Sequence, residues 1–265
     1  MRKTLPEKTI TALFGLGLTL SVAWGLATLP LSAADTGPGV TAHVSVLKGE
    51  KNFFTGYDTH NLDGTINVVI EIPAGTTAKY EVSIKSGLIE LEQKNGAPRF
   101  VQYLGYPCNY GNIPRTILSK DKGGDGDPVD ALVLGPSIPT GSVVKTRPLG
   151  ILSLIDGGEI DDKVVLVMEN SPFSACRDMV DLEAKFPGVT TILKTWFTSY
   201  KGRDKKGNLI LSSTGFKGRA EAIRLIGDAA LDYERSVITE ADKRPLDEKG
   251  NPRLYRWPGA KNLGE

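Results

Sequence analysis

Histidine and cysteine are nearly missing from this 265-residue chain, which has two of each. Both histidines, His43 and His60, fall in an irregular lead-in, so a histidine-based zinc site or a Ser-His-Asp triad is poorly supported. Cys108 and Cys176 are too few for a disulfide scaffold. An oxidising compartment permits one bridge between them; the plainer reading is two buried free thiols. Also missing are a G-x-x-x-x-G-K-[ST] phosphate loop, a G-x-G-x-x-G after a strand, C-x-x-C and H-E-x-x-H. There is no internal repeat and no low-complexity tract. A net charge of +1 leaves nothing global to attract nucleic acid or an anionic membrane surface, so any strong field must come from local clustering. The rest is ordinary for a globular protein, with 40% apolar and 24% charged residues. The length suits one domain or two small ones, with room for a useful core.

The first 34 residues differ from the rest of the chain. Arg2, Lys3 and Lys8 make a basic start, residues 10–31 are apolar apart from small or weakly polar interruptions, and Ser32-Ala33-Ala34 precedes Asp35. That order describes an export signal, although the apolar stretch approaches the ~20 residues that cross a bilayer. Cleavage and an uncleaved membrane anchor both stay open; the helix-breaking Pro30 and the small residues after it favour cleavage. The expectation is an exported protein, periplasmic or secreted, with residues 35–265 as one nearly neutral domain. It would touch a membrane only through an uncleaved leader.

Residues 35–64 read as a lead-in to a strand-rich region. Strand candidates cover 67–72, 80–84, 88–91, 100–104, 130–134, 143–154 and 164–168, all short, rich in β-branched residues and separated by Gly, Pro and Asp. Asn95-Gly96 and Asp156-Gly157-Gly158 are turn signals. Many short strands with such turns point to a small barrel. After Pro187-Gly188 the period changes: Val189, Ile192, Leu193, Trp196, Phe197 and Tyr200 recur at helical spacing. A second helix is expected over Arg219–Val237, with Ala222, Ile223, Leu225, Ile226, Ala229, Ala230 and Tyr233 inward. From about Ala241 the prolines and glycines mark an extended tail, to 265. The fold class is α+β, mainly β, with two main helices.

The most informative segment is Gly123-Gly-Asp125-Gly-Asp127-Pro-Val-Asp130. In an extended chain Asp125 and Asp127 point to one side, Pro128 stiffens the backbone after them, and Asp130 opens an apolar strand. Like charges held this close repel unless a cation joins them, and hard oxygen ligands suit magnesium, calcium or manganese rather than zinc. A solvated Asp-rich turn is the bland alternative. An EF-hand loop starting at Asp121 places Gly126 correctly, but it has Gly123 at position three and Leu132 where a bidentate Glu is required, and is rejected. A second acidic group, Asp156, Glu159, Asp161 and Asp162 before Lys163, lies in a hairpin-like loop. Lys79, Arg99, Tyr106, Tyr110, Tyr200 and Lys201 stand at strand or helix ends; singly, each is a surface cation or a core aromatic, and Tyr200 simply completes the helical stripe.

Together these residues resemble the soluble inorganic pyrophosphatases of the Asp-x-Asp-Pro-x-Asp type, family I. The resemblance runs through Val69-Ile-Glu71-Ile-Pro73, Lys79-Tyr-Glu81, Arg99-Phe-Val101, Tyr106-Pro-Cys-Asn-Tyr110-Gly, Asp125-Gly-Asp127-Pro-Val-Asp130, Asp156…Asp161-Asp-Lys163 and Tyr200-Lys201. It covers roughly 65–235, the catalytic core. It implies a five-stranded OB-like barrel with flanking helices. It makes Asp125, Asp127, Asp130, Asp156 and Asp161 ligands of Mg2+, and gives Lys79, Arg99, Tyr106, Lys163, Tyr200 and Lys201 the phosphate oxygens. Glu71 and Tyr110 would serve catalysis, and Glu81 would complete the cavity. Two departures stand out. The segment between Glu81 and Tyr106 is longer than in compact bacterial members, which leaves Gln93 where those have an arginine; Arg99-Phe100 matches the eukaryotic-type pair instead. The export segment is unusual for the family.

The implied reaction is Mg2+-dependent hydrolysis of inorganic diphosphate by a metal-activated water, with Asp127 as general base. The chemistry is coherent: a small polyanion with no apolar handle needs metal and protein cations together. Association with further copies of the chain is expected, and nucleic acid is not. Two competing readings are a metal-dependent phosphohydrolase acting on a nucleotide or polyphosphate, and an extracellular calcium-binding module. The first lacks an aromatic, base-binding segment near the motifs. The second leaves the ordered Lys, Arg and Tyr blocks unexplained.

Overall fold

The computed structural model describes residues 44–237. Its strands are β1 (Val46–Leu47), β2 (Ile66–Ile72), β3 (Tyr80–Val82), β4 (Ile89–Leu91), β5 (Gln93–Lys94), β6 (Ala97–Pro98), β7 (Asn109–Asn112), β8 (Asp130–Leu134), β9 (Val143–Asp156), β10 (Glu159–Ile160), β11 (Lys163–Met168) and β12 (Leu211–Lys217). The helices are α1 (Met179–Lys185), α2 (Val189–Ser199) and α3 (Arg219–Val237).

Five strands close on themselves. β2 pairs antiparallel with β7 and β7 with β8; β8 runs parallel to β11; β11 pairs antiparallel with β9, which returns antiparallel to β2. Closure depends on the fourteen residues of β9. Its residues 143–146 pair with β2, 146–152 with β11, and 151–156 with β12. Gly150 lets β12 come close, because a Cβ there would strike the Lys217 carbonyl. This is the expected five-stranded OB-like barrel.

The barrel wall is apolar on both faces, so successive residues serve different cores. Ala131, Val133, Val164 and Leu166 pack with Ala222, Ile226 and Ala229 of α3. Leu132, Leu134, Val165 and Val167 pack with Leu182, Leu193, Trp196 and Phe197 of α1 and α2. Each buried Leu, Ile or Val contributes about 1.5–3 kcal/mol. β1, β4 and β3 form a small separate sheet over Phe53 and Phe54.

Both long helices form where the apolar period places them, with corrections at single positions: Ile192 and Ile223 are exposed rather than inward. The expected strand at 100–104 does not form. Phe100 makes an isolated bridge to Ala78, and the chain then bends, with Leu104 70% exposed. Cys108 and Cys176 are buried free thiols. Among the described residues no helix is long and apolar enough to cross a membrane. The expected export segment, 1–34, and the expected extended tail, 241–265, lie outside the described residues.

Candidate active site

The site is assembled from the ends of barrel strands. Glu71 lies near the end of β2, Asp130 opens β8, Asp156 ends β9 and Lys163 opens β11. Tyr110 sits on β7, where Gly111 is required because a Cβ would run into the Val69 carbonyl. Asn109 latches that strand to its surroundings: Nδ2 donates to Pro136 O at 2.8 Å, and Oδ1 accepts from Ile138 N at 2.9 Å. The 125–130 loop is shaped by its own acids, with Asp127 N donating to Asp125 Oδ1 at 2.9 Å.

A cavity of about 80 Å3 is lined by Glu71, Lys79, Glu81, Tyr110, Asn112, Asp127, Pro128 and Asp130, among others. Lys79 is ion-paired with Glu81 and stands 5.2 Å from the Tyr110 ring centroid. Lys163 stands 5.5 Å from the same ring centroid. Lys163 donates to Asp130 at 2.5 Å and to Asp161 at 2.9 Å. Lys201 is paired with Asp156 and lies over the Tyr200 ring. The Tyr200 ring stacks on Trp196, which also holds Tyr106 at 4.5 Å between centroids; Tyr106 meets Tyr110 at 5.3 Å. Arg99 donates to both oxygens of Glu92, at 2.7 and 2.6 Å, and its charge is felt at Tyr106. Of the fourteen residues singled out in the sequence, Glu71, Lys79, Glu81, Tyr110, Asp127 and Asp130 line the cavity; seven more join them through the contacts above, while Arg99 is held by Glu92 and reaches them only through its charge. A larger cavity, of about 220 Å3, lies between residues 117–124 and α3 and is lined by none of them.

The electrostatics follow from crowding. Burial pushes the Glu71 carboxyl up to about 8, against the pull of Lys79 and the bond from Val82 N. Asp127 keeps an open edge to solvent, yet desolvation on its crowded side and the charges of Asp125, Glu81 and Asp130 raise it to about 6. Burial alone would lower Lys163; Asp130 and Asp161 overcome this and hold it well above its ordinary value. Because one lysine serves two carboxylates there, burial still leaves Asp161 raised. Tyr106, Tyr110 and Tyr200 are raised by burial and stay protonated donors.

Among the described residues no three acidic, histidine or cysteine side chains already stand together as a metal-binding group. Lysines hold Glu81, Asp130, Asp156 and Asp161 instead. The donor set nevertheless fits a hard divalent cation. It is all oxygen, its carboxylates outnumber its cations, Asp127 stays raised despite the charge of Lys120, and Asn112 Oδ1 is buried without a partner among the described residues.

Two side chains of the site carry little signal in the sequence. Glu92 holds Arg99 in place but sits in a segment without a motif. Asn112 donates to Glu71 at 3.1 Å; its only cue is its i+2 relation to Tyr110 on a strand. Asp162 reads in the sequence as an ordinary loop carboxylate, but it is 7% exposed and paired with Lys217 at 2.7 Å.

The sequence profile of the family described as inorganic pyrophosphatase matches residues 68–234. A mitochondrial inorganic pyrophosphatase of Saccharomyces cerevisiae is 35% identical over 185 residues, which is 62% of this chain and 60% of that protein. An inorganic pyrophosphatase of Drosophila melanogaster is 33% identical over 192 residues, 67% of this chain and 54% of that one. The aligned part of the chain thus spans between half and two thirds of either relative. Among solved structures, a truncated vacuolar soluble pyrophosphatase of Trypanosoma cruzi in complex with PPi superposes with a TM-score of 0.61 at 31% identity, covering 65% of this chain and 70% of that one. The chain belongs to the inorganic pyrophosphatase family.

Proposed function

We propose that this protein hydrolyses inorganic diphosphate to two orthophosphates with the help of Mg2+. The observation that carries the reading is the cavity itself. Glu71, Asp127 and Asp130 line it together with Lys79 and Tyr110, while Lys163 stands against both Tyr110 and Asp130. An anionic cluster for cations thus adjoins a row of donors for phosphate oxygens. The T. cruzi relative crystallised with PPi supports the same substrate.

Asp125, Asp127, Asp130, Asp156 and Asp161 would hold magnesium. Bound there, the ion lowers the pKa of water and neutralises charge on a departing phosphate. Lys79, Arg99, Tyr106, Lys163, Tyr200 and Lys201 bind the diphosphate oxygens and hold phosphorus in line for attack. Their present carboxylate partners keep the cations oriented until the substrate arrives. Asp127, raised to about 6, is suited to take the proton of the attacking water near neutral pH. Tyr110, within 5.5 Å of two lysines, and the buried Glu71 complete the cavity lining.

Asp127→Asn tests this assignment, because it keeps size and one oxygen while removing the charge and the proton acceptor. Turnover should fall by at least ~100-fold in a folded protein, since one crowded carboxylate fewer relieves repulsion. Near-normal turnover with magnesium still bound would remove Asp127 from the chemistry.

A further inference from the structure

Asn112 belongs to none of the groups that define the site. It follows Tyr110 by two residues on β7, on the same face of the strand, and its cross-strand partner on β8 is Asp130. The residue is 3% exposed and lines the cavity with Glu71, Asp127 and Asp130. Its Nδ2 donates to Glu71 Oε1 at 3.1 Å, the same oxygen that accepts from Val82 N at 2.7 Å. The amide is thereby oriented, because the reverse rotamer would set a carbonyl oxygen against Oε1, which Val82 N already fixes as an acceptor. Oδ1 is the remaining end, buried and without a hydrogen-bond partner among the described residues.

A buried acceptor left unpaired is costly, because it has given up water without a replacement. Asp127 and Asp130 of the same cavity are acceptors, and its donors, Lys79 and Tyr110, do not bond to Oδ1, which leaves this oxygen for a donor that the carboxylates attract. A hydrated magnesium ion meets that need: it gives up its waters reluctantly, and those waters donate hydrogen bonds. We propose that Asn112 is a positioning residue for the hydrated cation. Oδ1 accepts a hydrogen bond from a water of magnesium held at Asp127 and Asp130, while Nδ2 fixes Glu71 beside it. This rests on the magnesium-dependent reading of the site. Outer partners of this kind set metal affinity by about 10–100-fold.

Magnesium alone, without substrate, is titrated calorimetrically into the full chain and into Asn112→Ala and Asn112→Leu. Both variants should bind at least about 10-fold more weakly. Their melting temperatures in chelator should stay near that of the parent, since the unpaired acceptor is lost along with the donor. In the parent chain the 13Cγ resonance of Asn112 should move when magnesium is added, a readout that needs no variant to fold. Folded variants with parental affinity, or a resonance that stays still while magnesium binds, overturn the inference. A purely structural Asn112 would lower the melting temperature in chelator and leave the affinity of the folded protein unchanged, which also overturns it. A parent chain that binds no magnesium overturns the functional reading first, and this inference with it.

Discussion

Arg99 and Gln93 lie close in sequence but differ in their surroundings. Arg99 is half-buried, oriented by Glu92, and within electrostatic reach of Tyr200 and Glu81, whereas Gln93 is exposed and its amide only caps Leu91 O at 3.1 Å. A guanidinium is also the group that matches phosphate oxygens. Arg99→Ala should therefore raise the KM for diphosphate by about 10-fold or more, the scale of one lost charged hydrogen bond, and Gln93→Ala should leave it unchanged. Equal effects in steady-state kinetics would show that the cation has been assigned to the wrong position. Glu71 supplies a pH prediction. Its carboxyl is raised from 4.5 to about 8, so across that window the folded protein holds a proton that the unfolded chain releases. Stability of the metal-free protein must then fall as pH rises from about 4.5 to about 8, with Asp127 acting in the same direction up to about 6. Melting of the chelated protein across this range should show the decline, and Glu71→Gln should flatten it; an undiminished slope in the variant would contradict the assignment. The acids of the 125–130 loop were legible in the sequence because crowded charge is conspicuous in any fold. Asn112 and Glu92 were not, because neither lies in a motif and each is recognised by the partner it holds, Glu71 or Arg99; a hydrogen bond across 41 residues leaves no local pattern.

α2 couples packing to the site. The turn Pro187-Gly188, with Gly188 at φ 91°, starts it, and its buried stripe of Leu193, Trp196 and Phe197 faces the barrel. Trp196 Nε1 donates to Leu104 O at 3.0 Å, and its ring lies between those of Tyr106 and Tyr200. Trp196→Ala should cost about 3–5 kcal/mol and loosen both tyrosines, so that denaturant midpoint and diphosphate KM move together. A variant that loses stability with an unchanged KM would separate the helix from the site. The helical periods of α2 and α3 were readable because one apolar stripe meets one surface. β7 and β12 were not, since Asn-Tyr-Gly-Asn and Leu-Ser-Ser-Thr-Gly-Phe-Lys carry no clean apolar alternation. Their places are set by backbone pairing to β2, β8 and β9. The segment 100–104 looks like a strand for the opposite reason: its apolar residues are real, but Gly105 lies so tightly on the Gly75 backbone that the chain turns there to bring in Tyr106. α1 is capped by Asp178, which accepts from Asp181 N at 2.8 Å, a short-range signal that seven residues of helix do little to reinforce.

At the scale of the molecule, the barrel and the site are one construction. Closing five strands through the bent β9 brings Glu71, Asp130, Asp156 and Lys163 together from strands distant in sequence. Strand number was largely readable from turns and β-branched runs. That the strands form a barrel was expected too, but not which strands pair to close it, because that depends on one strand changing partners along its length. The mixture of anions and cations left by that closure has one purpose in this account: to hold a divalent cation and a small polyanion at once. The most direct measurement is phosphate release from diphosphate by the full chain, with Mg2+ and with a chelator, and with ATP as the alternative substrate. Turnover of diphosphate should need Mg2+, be suppressed when Ca2+ replaces it, since calcium acidifies water less and holds looser geometry, and far exceed turnover of ATP. Full diphosphate hydrolysis in chelator, or a preference for ATP, would contradict it.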